Sequence, residues 1–151
     1  MNSKKYKDAM TLEIIPNLMV ENLNTSLKFY SQVVGLDIEF IINRDKALTQ
    51  DPLQGVFALM RRDNASLMLQ TRTSLIDELP MINEMPATQP QGTIYFRNIR
   101  PSEVCPHLSP DQILKGPFIQ WYGMEEIYFT DPDGYIICVG CMAEASNSNS
   151  N

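Results

Sequence analysis

The stretch that most limits the folds open to this chain runs from Glu125 to Gly140. Its two flanks, Glu125 to Thr130 and Tyr135 to Gly140, are rich in aromatic and β-branched residues, which suit a pleated, half-buried surface. Between them lies Asp131-Pro132-Asp133-Gly134. Pro132 fixes φ, Gly134 permits φ > 0, and Asp131 can hydrogen-bond its own turn. The stretch reads as two antiparallel strands joined by a tight turn. That turn explains both aspartates, so neither is assigned catalysis.

Upstream, Leu12 to Val20 reads as a strand, and Pro16 within it implies a distorted or edge strand. Asn22 is placed to cap the helix that follows. The apolar residues Leu23, Leu27, Tyr30 and Val34 recur at helical spacing on one face. Gly35 falls where a left-handed helix stop is wanted. Leu36 to Ile42 is a second strand and Asn43 to Gln54 a polar loop. Gly55 to Arg61 and Ala65 to Thr71 form a hairpin around Arg62-Asp63-Asn64.

Arg72 to Gln91 contains Pro80, Pro86 and Pro90 and little periodicity. Within it Ser74 to Leu79 has room for one or two helical turns, and the segment reads as a linker. Gly92 to Asn98 is the next strand. Pro101 suits a first helical turn and Pro106 interrupts a helix interior, which predicts a short or irregular helix over Pro101 to Ser109. Gln112 to Tyr122 contains a strand with a kink at Gly116-Pro117. The resulting organisation is a flexible arm at 1–10, a first βαβββ module at 11–72, a linker at 73–91, a second βαβββ module with a shortened helix at 92–142, and a disordered tail at 143–151.

Two motifs carry a family resemblance. One is the hairpin with its Asp-Pro-Asp-Gly turn. The other is Pro16-Asn17-Leu18-Met19-Val20-Glu21-Asn22-Leu23, then Ser26-Leu27-Lys28-Phe29-Tyr30, then Val34-Gly35-Leu36. In this order and at this separation they resemble the glyoxalase/bleomycin-resistance/extradiol dioxygenase (vicinal oxygen chelate) superfamily, from about Leu12 to Cys141. The resemblance implies an α+β fold in which two βαβββ modules form a half-open curved sheet around a cavity. It also implies a homodimer.

In metal-using members of that superfamily, His or Glu at four strand positions holds the ion. The match carries these positions to Ile15, Met68, Thr93 and Cys138, none of which is His, Asp or Glu. Ile15 has no donor, and Met68 is a soft donor suited to copper(I) rather than to a Lewis-acid metal. His107 is the single histidine. Neither a metal nor any other cofactor is therefore expected. The resemblance then points to the bleomycin-resistance-like members, which sequester a compound in a cleft by burying its apolar and aromatic surface. The alternative is a lyase, isomerase or dioxygenase with non-standard ligands, or metal-free acid/base catalysis.

Strand side chains alternate faces. If Cys138 faces the cavity, so do Ile136 and Gly140; Gln70 joins Met68, and Tyr95 and Arg97 join Thr93. Met68, Gln70, Tyr95, Trp121, Tyr128 and Cys138 are the candidate ligand-binding residues. Tyr128 matches an active-site tyrosine of the resembled ring-cleaving dioxygenases, and it reads equally as a strand tyrosine with a satisfied hydroxyl. Trp121 either packs on a ligand or fills the core. Cys138 reads as an inert buried thiol, or as a reactive one were a cation beside it. Glu126 shares the parity of Tyr128; the pair would serve proton transfer in an enzyme, whereas a solvated strand-edge glutamate is the plainer reading. Arg97 could meet an anionic ligand or Glu126. Met60, Met68 and Met124 would give an adaptable lining or ordinary core.

Composition narrows the partners. A net charge of −6 disfavours nucleic acid and favours a cationic small molecule, and the bleomycin-resistance resemblance implies an aromatic one. No apolar run reaches the roughly 18–20 residues of a membrane helix, and the basic start lacks the apolar run of a secretory signal. Three cysteines without regular spacing make no disulfide framework, which points to the reducing cytoplasm.

Overall fold

The computed structural model describes residues 12–85 and 92–145. The proposed arm at 1–10 and the tail from 146 onward lie outside the described residues, as does the linker from 86 to 91. The first unit consists of β1 (Asn17–Val20), α1 (Leu23–Phe29) continued by a wider turn over Tyr30–Val34, β2 (Asp37–Asn43), β3 (Leu48–Thr49), β4 (Gly55–Arg62), β5 (Ala65–Thr71) and α2 (Arg72–Glu78). The second consists of β6 (Thr93–Arg97), α3 (Pro101–Val104), β7 (Ile113–Ile119), β8 (Met124–Thr130) and β9 (Ile136–Met142). Two mixed sheets result, ordered β1-β5-β4-β2-β3 and β6-β9-β8-β7. In each, the strand before the helix pairs in parallel with the last strand of its unit.

Local chemistry sets the element ends. The Asn22 side chain accepts from Thr25 N–H at 3.0 Å, which satisfies a donor that the first helical turn leaves free. The helix ends at Gly35, whose φ of 76° lies in the left-handed region. In the closing hairpin, Asp131 Oδ1 accepts from the N–H groups of Asp133 and Tyr135 at 2.9 and 2.8 Å, as its turn chemistry predicts. Pro106 limits α3 to Pro101–Val104, followed by a tighter turn over Cys105–His107.

Two expectations need correction. The first strand begins at Asn17, not Leu12, because Pro16 has no N–H to pair. The Pro16 carbonyl still accepts from Met68 N–H at 2.8 Å, but Leu12 and Ile14 are exposed. The loop over Asn43 to Gln54 holds a further edge strand, β3, paired with Ile41 and Ile42. The segment read as a linker opens with α2, directly after β5 and capped by the Thr71 hydroxyl, over the stretch given room for one or two helical turns.

One core joins both sheets. Leu18, Val20, Leu67, Leu69, Ala58 and Met60 from the first sheet pack in the same cluster as Phe96, Ile127, Phe129, Ile137 and Val139 from the second. Leu27, Phe29 and Tyr30 of the helix lie within it, and the rings of Phe29 and Phe129 sit 6.1 Å apart. Each such fully buried side chain is worth about 1.5–3 kcal/mol relative to exposure. Since strand side chains alternate, the residues between these core positions point away from the core. Met68 and Gln70 do so in the first sheet, and Tyr95, Glu126, Tyr128, Cys138 and Gly140 in the second.

Candidate functional site

The register of the second sheet lines up two rows across its polar face. Lys115, Tyr128, Cys138 and Tyr95 are cross-strand neighbours in one; Phe118, Glu126, Gly140 and Arg97 are neighbours in the other. Gly140 is the gap that lets the rows meet. A Cβ there would collide with the Tyr95 hydroxyl and with Glu126 Cγ, so the Tyr95 ring leans across the glycine toward the glutamate.

Glu126 is the centre of this face, and only 1% of it is exposed. The reading of a solvated strand-edge glutamate is thus overturned: neighbours on β7 and β9 and the turn residue Tyr122 enclose it. Tyr122 Oη donates a short hydrogen bond to Glu126 Oε1, and the Cys138 thiol donates to Oε2 at 3.6 Å. Both donors are neutral, and no ion pair to Glu126 forms among the described residues. The bond to Glu126, with some burial, pushes Tyr122 up to about 12. Burial, then the neighbouring Cys138 and Glu126, pushes Tyr128 up to about 12. Burial and the Glu126 charge likewise push the Cys138 thiol up to about 12. Tyr95 is raised by burial and by Glu126. These groups hold their protons and face a carboxylate, so Cys138 is an inert thiol rather than a nucleophile.

Aromatic surface flanks the carboxylate. Tyr128 stacks on Phe118 with ring centroids 6.4 Å apart and planes 17° apart, and Lys115 Nζ lies 4.6 Å from the Phe118 centroid. Trp121 does not join the face by direct burial. It is 92% exposed in the β7–β8 turn and meets Tyr122 edge-on at 5.3 Å, so it is not core filler.

The polar face of the first sheet is built differently. Gln70 is buried and fully engaged: Asn17 Nδ2 donates to its Oε1 at 2.9 Å, and its Nε2 donates to Ser74 Oγ at 3.0 Å and Glu78 Oε2 at 3.4 Å. These bonds hold α2 over the sheet. A cleft of about 500 Å³ remains beside it, lined by Ile42, Phe57, Gln70 and Glu78, with Arg44 and Lys46 also on its wall. Met68 is half-buried on the same face, beside Asn17 in register. Met60 and Met124 are buried, Met60 within the core, so Met60 does not line a cleft.

The positions that would hold a divalent ion do not fit one. Register puts Asn17 opposite Met68 and Tyr95 opposite Cys138; Ile15 precedes the strand, and Thr93 pairs with Ile136. Glu126 and Cys138 are two donors in contact, but no group of three or more His, Cys, Asp or Glu side chains converges among the described residues. His107 stands in the turn after α3. A Lewis-acid cation needs more oxygen or nitrogen donors than this set supplies.

Sequence reasoning missed Tyr122, Asn17 and Phe118. Parity with Ile15, two residues earlier, could have suggested Asn17, and alternation along β7 could have suggested Phe118 but for the bulges there. Tyr122 lies in a turn, where no periodicity applies.

No helix among the described residues is long and apolar enough to cross a membrane. No protein-family model matches the sequence, and no curated protein does. Solved structures do match in shape. A glyoxalase/bleomycin resistance protein/dioxygenase family enzyme from Burkholderia phytofirmans superposes with a TM-score of 0.63 at 12% identity, covering 85% of this chain and 97% of its own. A protein of unknown function from Agrobacterium tumefaciens gives 0.62 at 20% identity, covering 88% and 95%. A glyoxalase-related enzyme from Fulvimarina pelagi gives 0.60 at 18% identity, covering 87% and 88%. As the two sequence motifs implied, the chain has the α+β fold of the glyoxalase/bleomycin-resistance/dioxygenase proteins.

Proposed function

We propose that this chain is a metal-free small-molecule-binding protein that sequesters a cationic aromatic compound, of the kind an antibiotic presents, on the Glu126 face. One observation carries the reading: a buried carboxylate held only by neutral donors, with aromatic rings beside it. A carboxylate out of water is costly unless paired, and a cation meeting it there gains more than it would in bulk solvent. Stacking on Tyr128 and Phe118 would supply cation–π and apolar contact to the same ligand. Both polar faces point away from the shared core, whereas ligand sites are concave. The proposal therefore includes a homodimer in which a second copy encloses the face.

Titration with proflavine, a planar aromatic cation, tests this. Saturable binding is expected, at least tenfold weaker in Glu126→Gln, with the compound recovered unchanged. Absence of binding, or equal binding by the variant, would reject the reading. Size-exclusion chromatography with light scattering tests the dimer separately.

A second reading follows from Glu126 and Tyr128 lying on one face of β8. Glu126 could take a proton from a carbon acid and Tyr128, which stays protonated to about 12, could return one. Deuterium wash-in to an α-keto acid in heavy water, lost in both Glu126→Gln and Tyr128→Phe, would support it.

A further inference from the structure

We propose that a second cleft, between the β4–β5 turn and the end of β6, binds a small oxyanion. The cleft measures about 430 Å³, and Arg62 and Arg97 both line it. Neither arginine is ion-paired among the described residues, in a chain of net charge −6.

The placement of Arg62 is built into the fold. Its Nη1 donates to the Val34 carbonyl at 3.0 Å, at the end of the helix. Gly35 makes this possible: a Cβ there would lie 2.8 Å from Arg62 Nη1. One N–H of the guanidinium is thereby anchored, and the others remain for an oxyanion, which suits bidentate recognition. Arg97 brings the second charge from β6. Asn64 and Asn98 also line the wall. Asp63 is the single acidic residue of the lining, so two positive charges face one negative. The lining therefore carries a net positive charge, which favours an anion over a neutral or cationic molecule.

Phosphate and dicarboxylate share this chemistry, and the experiment separates them. Inorganic phosphate and malonate are each titrated by NMR at constant ionic strength, reading the amides of Asn64 and Asn98. Saturable shifts with either probe, weakened at least tenfold in the exposed variant Arg97→Gln and several-fold in Arg62→Lys, are expected, and the stronger probe names the ligand class. No saturable shift with either probe overturns the proposal. So does binding that Arg97→Gln leaves unchanged.

Discussion

The Tyr30 hydroxyl donates a 2.6 Å hydrogen bond to Asp131 Oδ2, joining the helix of the first unit to the closing turn of the second. Both residues are buried. Asp133 reinforces the seam by accepting from Glu21 N–H at 3.0 Å and Ser26 Oγ at 3.3 Å, and Tyr135 Oη donates to the Met19 carbonyl at 3.0 Å. The turn aspartates are thus structural, and their partners lie in the other unit. Tyr30→Phe leaves a buried carboxylate short of one donor and should cost about 1–3 kcal/mol of stability. Urea denaturation measures this, and a variant as stable as the parent would contradict it.

The same carboxylate predicts a pH dependence. Burial raises Asp131 above the ordinary aspartate value, outweighing the hydrogen bonds from Tyr30 and the turn N–H groups that act to lower it. The folded chain therefore keeps this proton at a pH where the unfolded chain has lost it. The contribution of Asp131 to stability is greatest below the unfolded value of about 3.9 and falls as pH rises through the folded value. Asp131→Asn should remove that fall, seen as the difference between parent and variant in denaturation curves across acidic pH.

Local chemistry explains what the sequence revealed and what it hid. The hairpin around Asp131-Pro132-Asp133-Gly134 and the helix from Leu23 to Gly35 were legible because turn residues and spacing act over a few positions. Alternation along a strand groups Gln70 with Met68 and Tyr95 with Arg97, and the structure turns these residues away from the shared core. Counting along the chain could not see parallel register, so it chose Ile15 and Thr93 where pairing sets Asn17 and Tyr95 beside Met68 and Cys138. The burial of Glu126 was illegible because it depends on Tyr122 in a turn and on the missing side chain of Gly140 on another strand. Helix α2 showed no strong apolar period because it lies on a polar face, held by Gln70.

Glu126 raises two tyrosines to different degrees. The hydrogen bond to Glu126 is the main cause for Tyr122, and burial is the main cause for Tyr128, both pushed up to about 12. Glu126→Gln should therefore lower Tyr122 more than Tyr128 in a tyrosinate absorbance titration. Raised folded values favour the neutral phenols, so this part of the stability is present below pH of about 10 and is lost as pH rises through about 12. Equal movement of the two tyrosines in the variant would contradict the assignment.

The cysteines should differ in reactivity. All three are free, with Cys138 and Cys141 buried and Cys105 half-buried. With its thiol near 12, Cys138 carries almost no thiolate at neutral pH. Iodoacetamide on the native protein, followed by peptide mass spectrometry, should label Cys105 slowly and Cys138 hardly at all, with full labelling of all three in denaturant. Prompt native labelling of Cys138 would mean that a cation or an opening of the sheet activates it.

Gly140 separates the architecture of the Glu126 face from its charge. A methyl group there meets the Tyr95 hydroxyl, the far end of a side chain, and Glu126 Cγ, a side-chain atom nearer the backbone. Tyr95, 43% exposed, has room to swing outward, whereas Glu126 is fixed by Tyr122 and Cys138. Gly140→Ala should then fold, lose about 1–3 kcal/mol as overpacked sites do, and displace the Tyr95 ring most, with a smaller shift at Glu126. Proflavine binding should weaken in this variant even though its charge equals that of the parent. Unchanged affinity in Gly140→Ala, together with a loss in Glu126→Gln, would show that charge alone recruits the ligand and that Tyr95 does not touch it.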